Sequence, residues 1–268
     1  MISLSAHISL LFGEYPYAER PFRAAAAGFG AIETWWPTRG EAAALVTAVD
    51  ATGLRVSALN ADGGDLAQGE RGFLNDPLRA DEAVAAIDDA LSLATLLACP
   101  HVHVLLGRRM DGSLRTQEQA VVEALRAAAP AAQAAGITLL LEPLNAIDTP
   151  GYLASTPAAV AALLERVGSM SVRMMFDAYH VARSGLDPIA TLADVCDYVA
   201  HVQFADCPGR GAPGSGRLDL WRLCEALDAA GYGGAIGLEY EPGPSTLDGL
   251  SWLTSPPRCV AFPAHPTR

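Results

Sequence analysis

The sequence contains no lysine, so all 18 of its basic residues are arginine. Without a lysine amine, a chain cannot form the Schiff base of a lysine aldolase or of a pyridoxal-phosphate enzyme. It also cannot hold phosphate in a P-loop, because that motif requires a lysine. Three classes of enzyme are therefore excluded before any motif is considered.

Cysteines are few and show no metal or redox spacing. There are five of them, an odd number, and no C-x-x-C pair occurs. A reducing cytoplasm is the simplest interpretation. The apolar opening, 2–12, lacks a preceding basic region and meets Glu14 soon after, which indicates a strand rather than a signal peptide. No apolar run reaches the roughly 18 residues that a membrane helix requires.

Positive charge is also scarce. Eighteen basic residues face 30 acidic ones, for a net charge of −12. We therefore predict no nucleic-acid partner and no anionic membrane partner, since both require a basic surface. The 268 residues are 51% hydrophobic, which is enough for a sizeable core.

Short apolar segments alternate with longer alanine- and leucine-rich segments along the whole chain. We predict eight strands, at 2–8, 31–35, 55–60, 101–106, 137–142, 172–177, 198–204 and 235–240. Helices with apolar residues at three- to four-residue spacing are predicted between them, for example at 21–27, 41–52, 79–97, 116–135, 156–167 and 218–230.

This alternation predicts an α/β protein, a single-domain (β/α)8 TIM barrel over residues 1–253. Residues 254–268, with four prolines, are expected to form an irregular C-terminal extension. A doubly wound sheet is the alternative fold. No G-x-G-x-x-G directly joins a predicted strand to a predicted helix, which disfavours that alternative as a dinucleotide-binding fold.

Four of the later strands end in a residue that carries a side-chain oxygen: Glu142, Asp177, Gln203 and Glu239. In a barrel, the carboxyl ends of the strands converge on one mouth. An all-oxygen shell of this kind suits a hard divalent cation, most simply Mg²⁺ or Mn²⁺. A single acidic residue at a strand end is usually a helix cap or a solvated loop residue, but four in succession favour a metal site.

The residues around these strand ends resemble the hydroxypyruvate isomerase family, within the wider xylose-isomerase-like barrels. The similarity is densest over 139–253 and includes Leu-Glu-Pro-Leu-Asn at 141–145, Asp-Ala-Tyr-His at 177–180, Asp-Cys-Pro-Gly-Arg at 206–210 and Gly-Leu-Glu-Tyr at 237–240. A weaker match, Gly-Glu-Arg-Gly at 69–72, lies in the N-terminal half.

The resemblance implies that Glu142, Asp177, Gln203 and Glu239 are the metal ligands, and that Glu142 and Glu239 are also the catalytic acid/base pair. It implies that His180 and Arg210 contact substrate oxygens. Three departures affect the loops and the first strand: Gly211 and Arg217 replace a histidine and an acidic residue, and His7 stands where asparagine is common.

Other residues near the predicted mouth are candidates for substrate contact. His7 is expected to line the cavity, Asp206 precedes Arg210 in the same motif, and Arg71 lies in the long polar segment 61–77, whose length is typical of a lid. Trp35 and Trp36 end the second strand and either close the pocket or pack elsewhere.

Two histidine-containing motifs are open to alternative interpretations. His101 and His103 could form a zinc pair, but core packing is favoured because no third soft ligand is nearby. His201 is either a second-shell residue or a core histidine.

These features predict a metal-dependent isomerase that moves a proton between adjacent carbons of a small hydroxy-carbonyl compound through an enediolate. Conversion of hydroxypyruvate to tartronate semialdehyde is the first expectation, with Arg210 pairing with the substrate carboxylate. A related keto-acid or ketose isomerase or epimerase is the alternative. Endonuclease-IV-like phosphodiester cleavage and a non-catalytic sugar-acid-binding barrel are more distant ones, and association into a homo-oligomer is possible.

Overall fold

A computed structural model of the chain describes residues 2–254 and 260–261. The eight predicted strands are present, as β1 (Ile2–His7), β2 (Ala31–Thr34), β3 (Arg55–Asn60), β4 (His101–His103), β5 (Thr138–Leu141), β6 (Val172–Asp177), β7 (Val199–Phe204) and β8 (Ala235–Leu238). The helices are α1 (Arg20–Ala26), α2 (Arg39–Thr52), α3 (Ala80–Leu96), α4 (Leu114–Ala135), α5 (Pro157–Val167), α6 (Ala178–Arg183), α7 (Pro188–Val195) and α8 (Leu220–Ala229).

The strands close into a parallel barrel. Each strand pairs in parallel with the next along the chain, and β1 pairs with both β2 and β8. This closure confirms the TIM barrel and rules out the doubly wound sheet. No helix of the described residues is long and apolar enough to cross a membrane.

Local sequence signals set the helix ends. The α2 helix starts with a capping box in which Thr38 and Glu41 bond each other's backbone N–H groups, and it ends at Gly53 in the left-handed conformation with φ 68°. Thr156 caps α5 ahead of Pro157, which occupies the first turn, where its missing N–H is not needed. These caps turn the chain back toward the barrel, so that each following strand begins at the same end.

Five strands stop earlier than predicted, among them β1 and β2 by one residue each. The β4, β5 and β8 strands end at His103, Leu141 and Leu238, so Glu142 and Glu239 each lie one residue beyond the sheet. For β5 the reason is local, because Pro143 has no N–H to continue the ladder. The two glutamates therefore sit on the strand-to-helix turns, where their side chains are free to face the mouth.

The C-terminal segment contains a further short strand, β9 (Val260–Ala261), which pairs in parallel with Ile2 and Ser3 of β1. At these two residues the predicted irregular extension is wrong, because their backbones pair with the free edge at the start of β1. The rest of the extension, at 255–259 and 262–268, lies outside the described residues.

Candidate active site

A cavity of about 440 Å³ opens at the carboxyl ends of the strands. Its lining contains most of the predicted site residues together with several apolar ones: Trp35, Asn60, Leu66, Ala67, Arg71, His103, Leu105, Glu142, Leu144, Asp148, Thr149, His180, Gln203, Arg210 and Glu239. This is the mouth where barrel enzymes carry their chemistry.

A larger cavity, of about 860 Å³, lies at the opposite end of the barrel beside Ser3, Ala31 and Arg55. Most of its described lining is aliphatic or backbone, and Asp50 is the one carboxylate among those lining residues. Size alone favours this cavity, but the polar groups that could do chemistry converge on the smaller one. We therefore place the candidate active site at the mouth.

Three carbonyl or carboxylate oxygens in the site have no hydrogen-bond partner. They are Glu142 Oε1, Asp177 Oδ2 and Gln203 Oε1, and all three residues are at most 3% exposed. Buried polar atoms are normally satisfied, so three unsatisfied acceptors in one region indicate a missing electropositive partner. Carboxylate oxygens of Glu142 and Asp177 also lie within 4.8 Å of each other, close enough to share one ion.

The charges of this cluster agree with that interpretation. Burial, together with the neighbouring Glu239 and Asp177 carboxylates, raises the pKa of Glu142 well above its ordinary value. Burial also raises the pKa of Asp177 to about 7, against the opposing effect of Arg210. Two carboxyl groups that resist ionisation in the protein alone are suited to a cation that offsets their charge.

Gln203 is oriented by a residue that sequence reasoning missed. Gln203 Nε2 donates to Glu33 Oε2 at 2.9 Å, which leaves its Oε1 as the free acceptor. Glu33 is itself fixed by His201 Nε2 at 2.7 Å and by the Ser57 hydroxyl at 3.0 Å. His201 is thus a buried histidine that contacts Glu33, and through Glu33 it is linked to Gln203. The only sequence signal for Glu33 was a carboxylate inside the apolar second strand.

Glu239 behaves differently from the other predicted ligands. Its Oε1 accepts from Trp35 Nε1 at 2.9 Å and lies 3.7 Å from His7 Nε2, while its Oε2 lies 2.9 Å from Arg210 Nη2. Burial would raise the pKa of Glu239, but Arg210, His7 and the Trp35 bond outweigh it and lower the pKa to about 2. The structure brings Glu239 into the cavity, yet both of its oxygens are already paired.

The neutral His180 ring carries its proton on Nε2, so that this nitrogen can donate a hydrogen bond. Its Nδ1 accepts from the Asn145 backbone N–H at 3.1 Å and lies 2.7 Å from Asn145 Nδ2. Because Nδ1 is an acceptor, the proton of the neutral ring is on Nε2, which lies 3.8 Å from both Glu142 Oε1 and Asp177 Oδ2. Burial keeps the ring neutral by lowering the pKa to about 3. A protonated Nε2 is a hydrogen-bond donor, not a metal ligand.

His103 lines the same cavity, with Nε2 3.4 Å from Glu142 Oε2 and no hydrogen-bond partner. The core-packing role favoured from sequence is therefore wrong for this residue, because β4 turns its side chain toward the mouth. His101, two residues earlier, holds the Ser57 carbonyl oxygen through Nδ1 at 2.8 Å and lines the opposite cavity instead.

The two arginines of the cavity differ in their partners. Arg210 Nη2 forms an ion pair with the Glu239 carboxylate at 2.9 Å, and Arg210 Nε donates to the Glu239 carbonyl oxygen at 3.4 Å. The Nε–Nη2 edge of the Arg210 guanidinium is therefore occupied by Glu239. Arg71 bonds only the Leu66 and Glu70 carbonyl oxygens, at 3.0 and 2.7 Å.

Asp206 does not line the cavity, so its predicted substrate contact is wrong in this structure. Both carboxylate oxygens accept hydrogen bonds from backbone N–H groups at 2.8–2.9 Å: Oδ1 from Cys207 and Leu218, and Oδ2 from Gly214 and Gly216. Four such bonds hold together the loop after β7, the loop that presents Arg210. Asp206 thus shapes the site through the backbone.

Comparison with known proteins identifies the family. A family model described as "Xylose isomerase-like TIM barrel" matches residues 22–255. The chain belongs to this family. The resemblance found in the sequence is thereby confirmed, and the match covers every strand from β2 to β8.

Two relatives cover nearly the whole chain. A 2-oxo-tetronate isomerase of Cupriavidus necator is 35% identical, over 94% of this chain and 98% of its own. A hydroxypyruvate isomerase of Escherichia coli is 32% identical, again over 94% of this chain and 98% of its own. These two relatives are thus similar to the chain over nearly its whole length.

Two solved structures superpose on the chain. One, from Brucella melitensis and titled an AP endonuclease of family 2, has a TM-score of 0.91 at 32% identity and covers 95% of this chain and 98% of its own. A 3-keto-D-glucoside 4-epimerase of E. coli has a TM-score of 0.78 at 23% identity, covering 94% and 98%. The second similarity shows the fold alone.

Proposed function

We propose that the protein is a divalent-metal-dependent isomerase that transfers a proton between adjacent carbons of a small 2-hydroxy-carbonyl compound. The observation that carries the proposal is a set of three buried, unpartnered oxygens: those of Glu142 and Gln203 belong to residues that line the cavity, and Asp177 has a carboxylate oxygen within 4.8 Å of one of Glu142. Mg²⁺ and Mn²⁺ are the expected ions, because every free ligand atom is oxygen.

A bound cation would supply electrostatic stabilisation of the oxyanion that develops when a proton leaves the carbon next to a carbonyl. Glu142 and Glu239 are the carboxylates expected to remove that proton and return one to the neighbouring carbon. They reach the same cavity from β5 and β8. His180 Nε2–H is placed as a donor to a substrate oxygen in the same cavity.

The contacts of Glu239 bear differently on its two predicted roles, metal ligand and catalytic base. Its predicted role as a fourth ligand needs a free oxygen, but both oxygens accept contacts from Trp35 and Arg210. Its role as a base needs only ionisation, which Arg210 enforces. The contacts therefore favour Glu239 as a proton-transfer residue over Glu239 as a ligand of the metal.

Hydroxypyruvate is the first substrate to test, with tartronate semialdehyde as product, because one full-length relative is a hydroxypyruvate isomerase. A second relative is a 2-oxo-tetronate isomerase, which makes a four-carbon keto acid the next candidate. Neutral ketoses complete the series. All of these compounds share the hydroxy-carbonyl unit on which the proposed proton transfer acts.

The test is an assay of two- to six-carbon keto acids and ketoses in D₂O with Mg²⁺ or Mn²⁺. Deuterium should appear on the carbon next to the carbonyl of the true substrate. Glu142→Gln and Glu239→Gln should each abolish turnover, while Glu123→Gln, an exposed carboxylate on α4, should retain it. Full activity in either active-site variant would falsify the acid/base assignment.

Phosphodiester cleavage is the second candidate, because the Brucella structure carries an AP endonuclease title. The net charge of −12 opposes it, since DNA binding depends on a basic surface. Incision of a duplex with an abasic site, without proton exchange in any keto compound, would favour this candidate over the isomerase.

A further inference from the structure

Arg71 is the cavity-lining cation that has no acidic partner among the described residues. The other arginine of the lining, Arg210, is paired with Glu239 at 2.9 Å. Arg71 uses Nη1 on two backbone carbonyl oxygens and forms no ion pair within the described part of the chain. Its guanidinium therefore retains donors that a ligand anion can use.

The neighbouring Glu70 does not neutralise Arg71. Glu70 Oε1 accepts from Arg79 Nη1 at 2.8 Å, and Glu70 Oε2 accepts from the Asp65 N–H at 2.6 Å. Both oxygens are thus turned away to hold the segment 61–77 in shape. The charged groups that act on Arg71 are instead two further cations, Arg108 and Arg210.

The backbone fixes the position of Arg71. Gly72 forms a bridge with Leu106 and donates to the Gly63 carbonyl at 2.9 Å. Gly72 has φ 87°, and a Cβ there would lie 2.0 Å from the Leu105 carbonyl oxygen, so the chain packs as closely as glycine allows. The residue before this glycine is presented to the cavity by a tied loop.

The other charged side chains at the mouth do not compensate the positive charge of Arg71. The carboxylates of Glu142, Asp177 and Glu239 would be balanced by a bound divalent cation together with Arg210. Asp148, the remaining acid of the lining, pairs with Arg183 at 3.3 Å. Among the charged side chains that line the cavity, Arg71 is therefore the one left without a counter-charge, and it is complementary to a substrate with one negative charge.

We propose that Arg71 is the carboxylate receptor of the active site, and that through it the enzyme selects 2-keto acids over neutral ketoses. The proposal rests on the proposed isomerase function and adds its substrate class. It assigns to Arg71 the role that the sequence suggested for Arg210, because the fork of Arg210 is already bound to Glu239.

A matched pair of substrates isolates this contact. Hydroxypyruvate and dihydroxyacetone share the hydroxy-carbonyl unit and differ in a carboxylate against a hydroxymethyl group. For Arg71→Gln, kcat/KM for hydroxypyruvate should fall about 10- to 100-fold, as expected for loss of a charged hydrogen bond. Deuterium exchange into dihydroxyacetone should change less than about threefold. Arg71→Lys, which keeps the charge but not the fork, should lie between.

Two controls accompany the kinetics. Arg109→Gln removes an exposed arginine of the neighbouring loop, which does not line the cavity, and should leave both substrates unaffected. The Mn²⁺ affinity of Arg71→Gln, measured by calorimetry, should equal that of the wild type. Binding of D-glycerate to the Mn²⁺-loaded protein, which needs no turnover, should weaken about 10- to 100-fold in Arg71→Gln.

The outcomes separate the two proposals. If the wild type exchanges neither substrate but D-glycerate binding still depends on Arg71, the isomerase proposal fails and the receptor proposal stands. If the wild type converts hydroxypyruvate and Arg71→Gln does so equally well, Arg71 is not the receptor. Equal losses on the charged and the neutral substrate would likewise overturn the inference, since they indicate a general effect on the loop.

Discussion

The two sides of the cavity differ in whether their buried polar side chains have partners within the protein. On one side, which we call the open cluster, oxygens of Glu142, Asp177 and Gln203 have no protein partner. On the other, the paired cluster, Glu239 is bound by Trp35 and Arg210. The pKa is raised for Glu142 and lowered to about 2 for Glu239. A buried glutamate thus has an oxygen without a hydrogen-bond partner in the open cluster, whereas both oxygens of the buried glutamate in the paired cluster have partners.

The difference shows that burial alone does not define a ligand site. A buried carboxylate that forms an ion pair with a guanidinium group has its charge compensated within the protein. A buried carboxylate without such a partner has a desolvation cost that only an added cation offsets. If this distinction holds, removal of charge from each cluster will change stability in opposite directions. Four variants test it, beginning with the one whose effect should be largest.

Glu239→Gln should lower the free energy of unfolding of the metal-free protein by roughly 2–4 kcal/mol. The variant leaves Arg210 partly buried without its counter-charge, and loss of one member of a buried pair typically costs about 3–5 kcal/mol. The smaller value reflects the 26% exposure of the Arg210 side chain. Urea denaturation in EDTA measures it, and an unchanged midpoint would contradict the paired assignment.

Asp206→Asn should lower the free energy of unfolding by about 1–3 kcal/mol, because one amide oxygen cannot satisfy the N–H groups that two carboxylate oxygens now accept. The KM should rise, since the loop carries Arg210, while the Mn²⁺ affinity should stay constant. Asp219→Asn, which caps α8 away from the cavity, is the control for a general helix or loop effect. Loss of metal binding in Asp206→Asn would place Asp206 nearer the ion than the structure does.

Glu33→Gln should weaken Mn²⁺ binding about 10- to 100-fold, the range found when outer partners of metal ligands are removed. The amide cannot accept from both His201 and Gln203 as the carboxylate does, so the Gln203 oxygen loses its fixed direction. Ser57→Ala removes a different bond to Glu33 and should change the affinity less than about threefold. Equal effects from the two variants would argue against a specific positioning role.

Glu142→Gln should stabilise the metal-free protein by about 1 kcal/mol, a rise of roughly 2–4 °C in Tm. The substitution removes an ionisable group whose buried charge is opposed by Glu239 and Asp177. With Mn²⁺ the order should reverse, because the wild type binds the ion and gains stability while the variant does not. Differential scanning fluorimetry with Mn²⁺ and with EDTA measures both; parallel shifts in the two proteins would remove Glu142 from the ligand set.

The barrel and much of its mouth were predictable because they depend on local patterns. Alternating apolar segments with capped helices between them determine eight strand–helix units, and polar residues at strand ends converge wherever such units close. The strand ends were less predictable: β5 and β8 each stop one residue before the glutamate that matters. Residues that serve the site from within the sheet, Glu33 and His103, resembled ordinary core positions in the linear pattern.

What the sequence by itself determined was the class of fold, the family, and the set of oxygen-bearing side chains that meet at the mouth. The tertiary structure alone decided which of those side chains were already satisfied: Glu239 is paired with Arg210 and Asp206 with its own loop, whereas one oxygen each of Glu142, Asp177 and Gln203 has no partner in the described chain. The physical reason is that periodicity and residue type govern where a side chain points. Pairing depends on contacts between residues such as 210 and 239, which only the closed barrel brings within hydrogen-bonding distance.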